Sequence, residues 1–244
     1  MILSRENIEE IAAAVTMDFN KFFFQDNDGE ERTKARCTPI DQFASEYLGL
    51  RVSFVRLSPD ASICGVTAYA DTEYTVEEMG VTRRIPLKKN QVLLDLSFMQ
   101  PGQIQKQCGK RRFTLAHECA HQILFQMESD EEKSSCEKKY AARTAYSFRD
   151  LKTREDWNEW QANVLGAAIL MPQEEIEFAM FRFAPGRILT NYEGRFNYHD
   201  RFVLTMLCQA LGVSKSAAII RLRQLGFLED RLFHEYSDPL EVWA

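Results

Sequence analysis

Between Arg112 and Phe125 the chain reads Arg-Phe-Thr-Leu-Ala-His-Glu-Cys-Ala-His-Gln-Ile-Leu-Phe, and the pattern H-E-x-x-H inside this apolar-flanked stretch constrains the fold more than any other feature. On an α-helix, positions i and i+4 lie about 40° apart and one turn along, so His117 and His121 project two imidazoles to one side at a separation suited to one metal ion. Glu118 is turned about 100° from His117, which directs its carboxylate to a water beside the ion and not to the ion itself. Cys119 is about 160–200° around the helix from both histidines; it is expected in the core and is not counted as a ligand. Only 4 histidines occur in 244 residues. Of the other two, His199 reads as a surface capping residue, with electrophilic assistance to a substrate carbonyl as the alternative, and His234 receives no role.

A catalytic zinc normally takes three protein ligands and leaves one position open, so a third ligand must come from another element. The segment from Asp156 to Pro172 supplies a helix that begins near Glu159 and carries Ala162, Asn163, Gly166 and Ala167 on one face. Small side chains let two helix backbones approach closely, so Glu159 on that face can reach a metal held by the neighbouring helix. The alternative for Glu159 is an exposed carboxylate at a helix start, favoured by the dipole. Asn163, one turn on, has two readings: a hydrogen bond to a ligand or substrate, or an ordinary bond within its own helix. The donor set suits Zn2+ and tolerates Mn2+.

Around this centre, residues 5–24 show helical spacing in Ile8, Ile11, Ala12, Val15 and Phe19, and the acidic stretch from Gln25 to Arg36 reads as a loop. Thr38-Pro39-Ile40-Asp41 predicts a capped helix over about 39–48 that stops at Gly49. Leu50 to Leu57, Ser62 to Val76, Thr82 to Pro86 and Val92 to Leu96 read as extended, giving a small sheet of three to four strands. From Arg112 onward the periodicity is helical to the end, the order of an α+β domain. The charge-rich segment 126–156 is read as a solvated helix pair or loop, with a mobile lid or substrate guide as the alternative.

Net charge is −6 and the pI about 5.4, a balance that argues against a protein devoted to neutralising phosphates. The longest uncharged stretch, Trp160 to Gln173, has 14 residues and includes Gln161, Asn163 and Pro172, too short and polar to span roughly 30 Å of hydrocarbon. Six cysteines without a C-x-x-C pair fit neither a disulfide scaffold nor a zinc ribbon. With acids near the start, where a signal peptide needs bases, the expected location is the cytoplasm.

The run R-F-T-L-A-H-E-x-x-H, followed by E-x-x-A-N and by L-M-P at the end of the same helix, resembles the ImmA/IrrE family of zinc metallopeptidases. Residues 38–180, and more loosely 200–228, carry the resemblance. It implies a small zincin-like α+β metallopeptidase domain in which His117, His121 and Glu159 hold zinc and Glu118 is the general base. Family members known for function cleave a helix-turn-helix transcriptional repressor and so derepress mobile-element or stress genes. Two departures stand out: Cys119-Ala120 where many relatives have Leu-Gly, and 37 residues between His121 and Glu159.

The expected organisation is an N-terminal helix and linker (1–36), a zincin-like core (37–180) and a helical C-terminal region (181–244). Within the last, Phe202 to Ser214 and Lys215 to Leu225 form a helix-turn-helix-like pair. Its second helix is rich in Ala217, Ala218, Ile219, Ile220 and Leu222, which suits packing better than base readout. The expected function is a cytoplasmic zinc-dependent endopeptidase whose partner is a helix-turn-helix repressor. The alternatives are a non-catalytic binding protein on the same scaffold and a DNA-binding regulator.

Overall fold

The computed structural model describes residues 2–24, 34–78, 80–135, 140–144, 153–236 and 238. The chain is mixed α+β and divides into two compact units, Met1–Gln25 with Pro39–Ile169, and Asp26–Thr38 with Leu170–Ala244. The N-terminal helix belongs to the unit that holds the H-E-x-x-H motif, and the division along the chain falls at the end of the Glu159 helix.

In the first unit, helix α1 (Arg5–Phe24) buries Ile8, Ala12, Thr16 and Phe19, the i, i+4, i+8, i+11 face of an amphipathic helix. Helix α2 (Ile40–Gln42) continues as a π-helical turn over Phe43–Tyr47 and is stopped by Gly49 at φ +64°, a conformation that favours glycine. The expected Thr38 cap is replaced: Pro39 is the N-cap and no side chain bonds the first turn. Pro39 itself lies at φ −75°, ψ 78°, outside the helical region, so the helix starts one residue later than the capping pattern suggests.

Strands β1 (Arg51–Val55), β2 (Ile63–Ala68) and β5 (Gln91–Asp95) assemble with a strand after the motif helix, β6 (Tyr140–Thr144), in the order β1-β5-β2-β6. β1 runs parallel to β5, and β2 runs antiparallel to both β5 and β6. Among the described residues, strands β3 (Thr72–Glu78) and β4 (Val81–Leu87) pair only with each other. Their Tyr74, Val76, Ile85 and Leu87 pack with Leu57, Val66 and Leu93 in one buried cluster. The expectation of unbroken helices from Arg112 is corrected here. β6 lies inside the charge-rich 126–156 segment, of which 136–139 and 145–152 fall outside the described residues. Its strand character comes from ladder pairing with β2, which local periodicity cannot register.

Helix α3 (Ile104–Met127) starts eight residues before the periodicity predicts and packs on β2 and β5. Gln122, buried, donates its amide to Thr67 Oγ1 (2.7 Å) and Ala68 O (3.0 Å), tying the helix to β2 immediately after His121. Short helix α4 (Asp130–Ser135) follows, and α5 (Arg154–Leu170) carries Glu159.

The second unit comprises α6 (Gln173–Phe183), β7 (Leu189–Tyr192), α7 (Tyr198–Leu211), α8 (Lys215–Gln224) and β8 (Leu228–Arg231). The helical reading of 181–244 is thus corrected too, because β7 and β8 form a parallel pair. Asn197 and Ser214 cap α7 and α8 by accepting from Asp200 N and Ala217 N. Gly212, at φ +63°, makes the turn, and the two helices meet at 103°, within the range of a helix-turn-helix. Arg221 is buried, its Nε donating to Met171 O at 3.0 Å. Among the described residues no single helix is long and apolar enough to cross a membrane.

Candidate metal centre

Helix α3 presents His117 and His121 on the face turned toward α5, and their Nε2 atoms stand 3.0 Å apart. From α5, Glu159 straddles them, with Oε2 3.2 Å from His117 Nε2 and Oε1 3.1 Å from His121 Nε2. Both imidazoles are buried, whereas the Glu159 side chain is 25% exposed. Among the described residues these three are the one group of His, Cys, Asp and Glu placed to share a metal ion.

The chemistry of the donors fits such an ion. Ligands about 2.0–2.1 Å from a tetrahedral zinc stand roughly 3.3 Å from one another, close to the 3.0–3.2 Å edges found here. Burial by itself would raise the Glu159 carboxyl. Its hydrogen bonds to His117 and His121, and the positive charge those rings can carry, outweigh burial and hold it well below the usual carboxylate range. A carboxylate kept ionised beside two imidazoles is a natural cation ligand.

What brings α5 close enough is Gly166, two turns beyond Glu159. A Cβ at this position would lie 3.0 Å from His117 N and 3.1 Å from both Ala116 C and His117 Cα, so backbone meets backbone where the two helices cross. The small-residue face expected from the sequence is therefore used as anticipated. Gly166→Val should force the helices apart and carry Glu159 away from the histidines. Overpacking of this kind costs about 1–3 kcal/mol, which chemical denaturation will read, and metal affinity measured by chelator competition should fall with it.

The remaining sequence candidates separate cleanly. Glu118 is fully buried, is not one of the three grouped ligands and lies against β2: a Cβ on Gly65 would sit 2.5 Å from its Oε1. Cys119 is fully buried, and burial, then the charge of Glu118, pushes its thiol well above the ordinary value; a protonated thiol is no metal ligand. Asn163 donates its amide to Glu159 O at 2.9 Å, the bond within the helix that was one of its two readings. His199 is about half exposed, with Nδ1 3.7 Å from Asp200 Oδ1, and His234 is exposed. Two contributors escaped the sequence reading. Gly65 could have been found as an isolated glycine inside a strand pattern, a mark of a bulge or a close approach. Gln122 carries no local signal, since its partners are set by tertiary packing.

No family model and no curated protein matches the chain. Among solved structures, a Mycobacterium tuberculosis transcriptional regulator aligns at a TM-score of 0.36 and 14% identity, over 88% of this chain and 51% of its own. The chain thus spans about half the length of that protein, and at this score the likeness transfers neither fold nor function.

Proposed function

We propose that the protein is a metal-dependent endopeptidase, using Zn2+ or Mn2+, whose substrate is a helix-turn-helix transcriptional repressor. The observation that carries the reading is the convergence of His117 Nε2 and His121 Nε2 of α3 with the Glu159 carboxylate of α5 within 3.2 Å of one another, beside Glu118, a buried acid next to His117 that is not one of the three ligands. His117, His121 and Glu159 would hold the ion. When bound, it supplies a Lewis acid for the scissile carbonyl and acidifies water for attack. Glu118 takes a proton from the attacking water as its oxygen bonds the carbonyl carbon, and returns it to the amide nitrogen as the C–N bond breaks. The repressor as substrate rests on the motif resemblance, and an acidic chain is compatible with a basic partner.

The experiment is co-expression with the helix-turn-helix protein encoded nearest its gene, followed by reaction of the two purified proteins with and without a chelator. Metal-dependent fragments, located by mass spectrometry, are the expected result. A repressor inactivated while full length, equally with and without metal, would establish the sequestering alternative.

The 103° α7–α8 pair favours a second reading, direct DNA binding. It is the weaker one. Helix α8 turns Ala218, Arg221 and Leu222 inward and engages Arg223 with Asp230 at 2.8 Å, leaving Lys215, Ser216 and Ile220 outward. Base readout needs a row of exposed donors and acceptors. A steep salt dependence in binding to promoter DNA would favour it.

A further inference from the structure

Gly65 lies in β2 between two partners, paired with Leu94 of β5 and Arg143 of β6. Glycine in a central strand is disfavoured by its backbone entropy and its missing side chain, so its presence calls for a steric reason. The ladder is irregular at this point. Ile63 pairs with Thr144 and Gly65 with the adjacent Arg143, which makes Cys64 an extra residue and β2 a bulged strand.

The reason faces α3. A Cβ on Gly65 would stand 2.5 Å from Glu118 Oε1, 3.0 Å from Glu118 Cδ and 2.8 Å from Thr114 Cγ2. Contacts that short are not tolerated between real atoms, so one of the groups must move. Thr114, one turn before Glu118, is fully buried, and its hydroxyl donates to Lys110 O at 3.0 Å, which holds its methyl in place. The group left to yield is the Glu118 carboxylate.

We propose that Gly65 is a positioning residue for the general base: the bulged, side-chain-free stretch of β2 is the seat that fixes the Glu118 carboxylate, so the sheet, and not only the motif helix, sets where the proton is accepted. The proposal rests on the reading of Glu118 as the base. Displacing a reacting group by about 1 Å can cost on the order of 100-fold in rate, and one methyl at residue 65 is enough to do so.

The test is Gly65→Ala in the metal-loaded full-length protein, assayed on the repressor substrate. Expected is a fall in kcat of about 10–100-fold, with KM and metal content unchanged. Glu118→Asp withdraws the carboxylate by one methylene, so adding Gly65→Ala to Glu118→Asp should cause little further loss. Thermal melting gives a readout independent of activity: Gly65→Ala should lower Tm less in a Glu118→Ala background than in the wild type. Thr114→Ser removes the competing methyl, and Thr114→Ser with Gly65→Ala isolates the carboxylate contact should the single variant fold poorly. Equal Tm losses in both backgrounds, or strictly additive kcat losses, would overturn the proposal. A wild-type protein that binds no metal and cleaves nothing would sink the peptidase reading instead, while the melting cycle would still report on the Gly65–Glu118 seat.

Discussion

Replacing Glu118 by Gln is expected to lower turnover by about 10²–10⁴-fold while the protein retains about one metal ion per chain. The amide matches the carboxylate in volume, so the buried space against Gly65 stays filled and the packing of α3 on β2 is undisturbed. What is lost is the ability to accept a proton from water and pass it to the departing nitrogen. Because Glu118 lies outside the triangle of His117, His121 and Glu159, its substitution should not release the ion, which elemental analysis will check. Loss of metal together with activity would show instead that Glu118 is a ligand and that the proton has another acceptor.

The second large effect is the response to losing one ligand. Changing a residue that merely hydrogen-bonds a ligand costs about 10–100-fold in metal affinity; His121→Ala or Glu159→Ala, which removes a coordinating atom from a set of three, should exceed that and leave the purified protein without stoichiometric metal. Thermal melting supplies the linked measurement. Metal at about 100 times its Kd adds roughly 2.7 kcal/mol to the folded state, equivalent to about 5–10 °C in a protein of this size. That increment should be present in the wild type and absent in either variant. Acid should remove the metal, because its ligands bind it only when deprotonated. Glu159, its carboxyl held below the usual range by the two rings, contributes in full above the ordinary carboxylate pKa of about 4.3 and weakens only as pH drops through its lowered value.

The motif helix, the N-terminal helix and strands β1, β4 and β5 were legible because each expresses a local period: 3.6 residues for Ile8, Ala12 and Phe19, and near-alternation or short apolar runs for the strands; Ser62 to Val76 read as one extended stretch, which the structure divides into β2 and β3 of different sheets. Glu159 was legible for a different reason. The small residues that follow it, Ala162 and Gly166, imply a backbone-to-backbone contact, and Gly166 makes one with His117. Strands β6, β7 and β8 were not legible. Tyr140–Thr144 and Leu228–Arg231 are four or five residues long without a clear apolar alternation, and they are strands because of the partners they meet.

The same division runs through the candidate site. From the sequence alone come two histidines one helical turn apart, an acid rotated away from them, and a second helix able to lie close, because helical geometry converts residue spacing directly into direction. At what separation Glu159 closes the triangle, and where the Glu118 carboxylate rests, are matters of how α3 meets α5 and the bulge of β2. No residue's spacing encodes those contacts, since they arise between residues at least 37 apart in the chain, such as His121 with Glu159 and Gly65 with Glu118, and only the tertiary structure decides them.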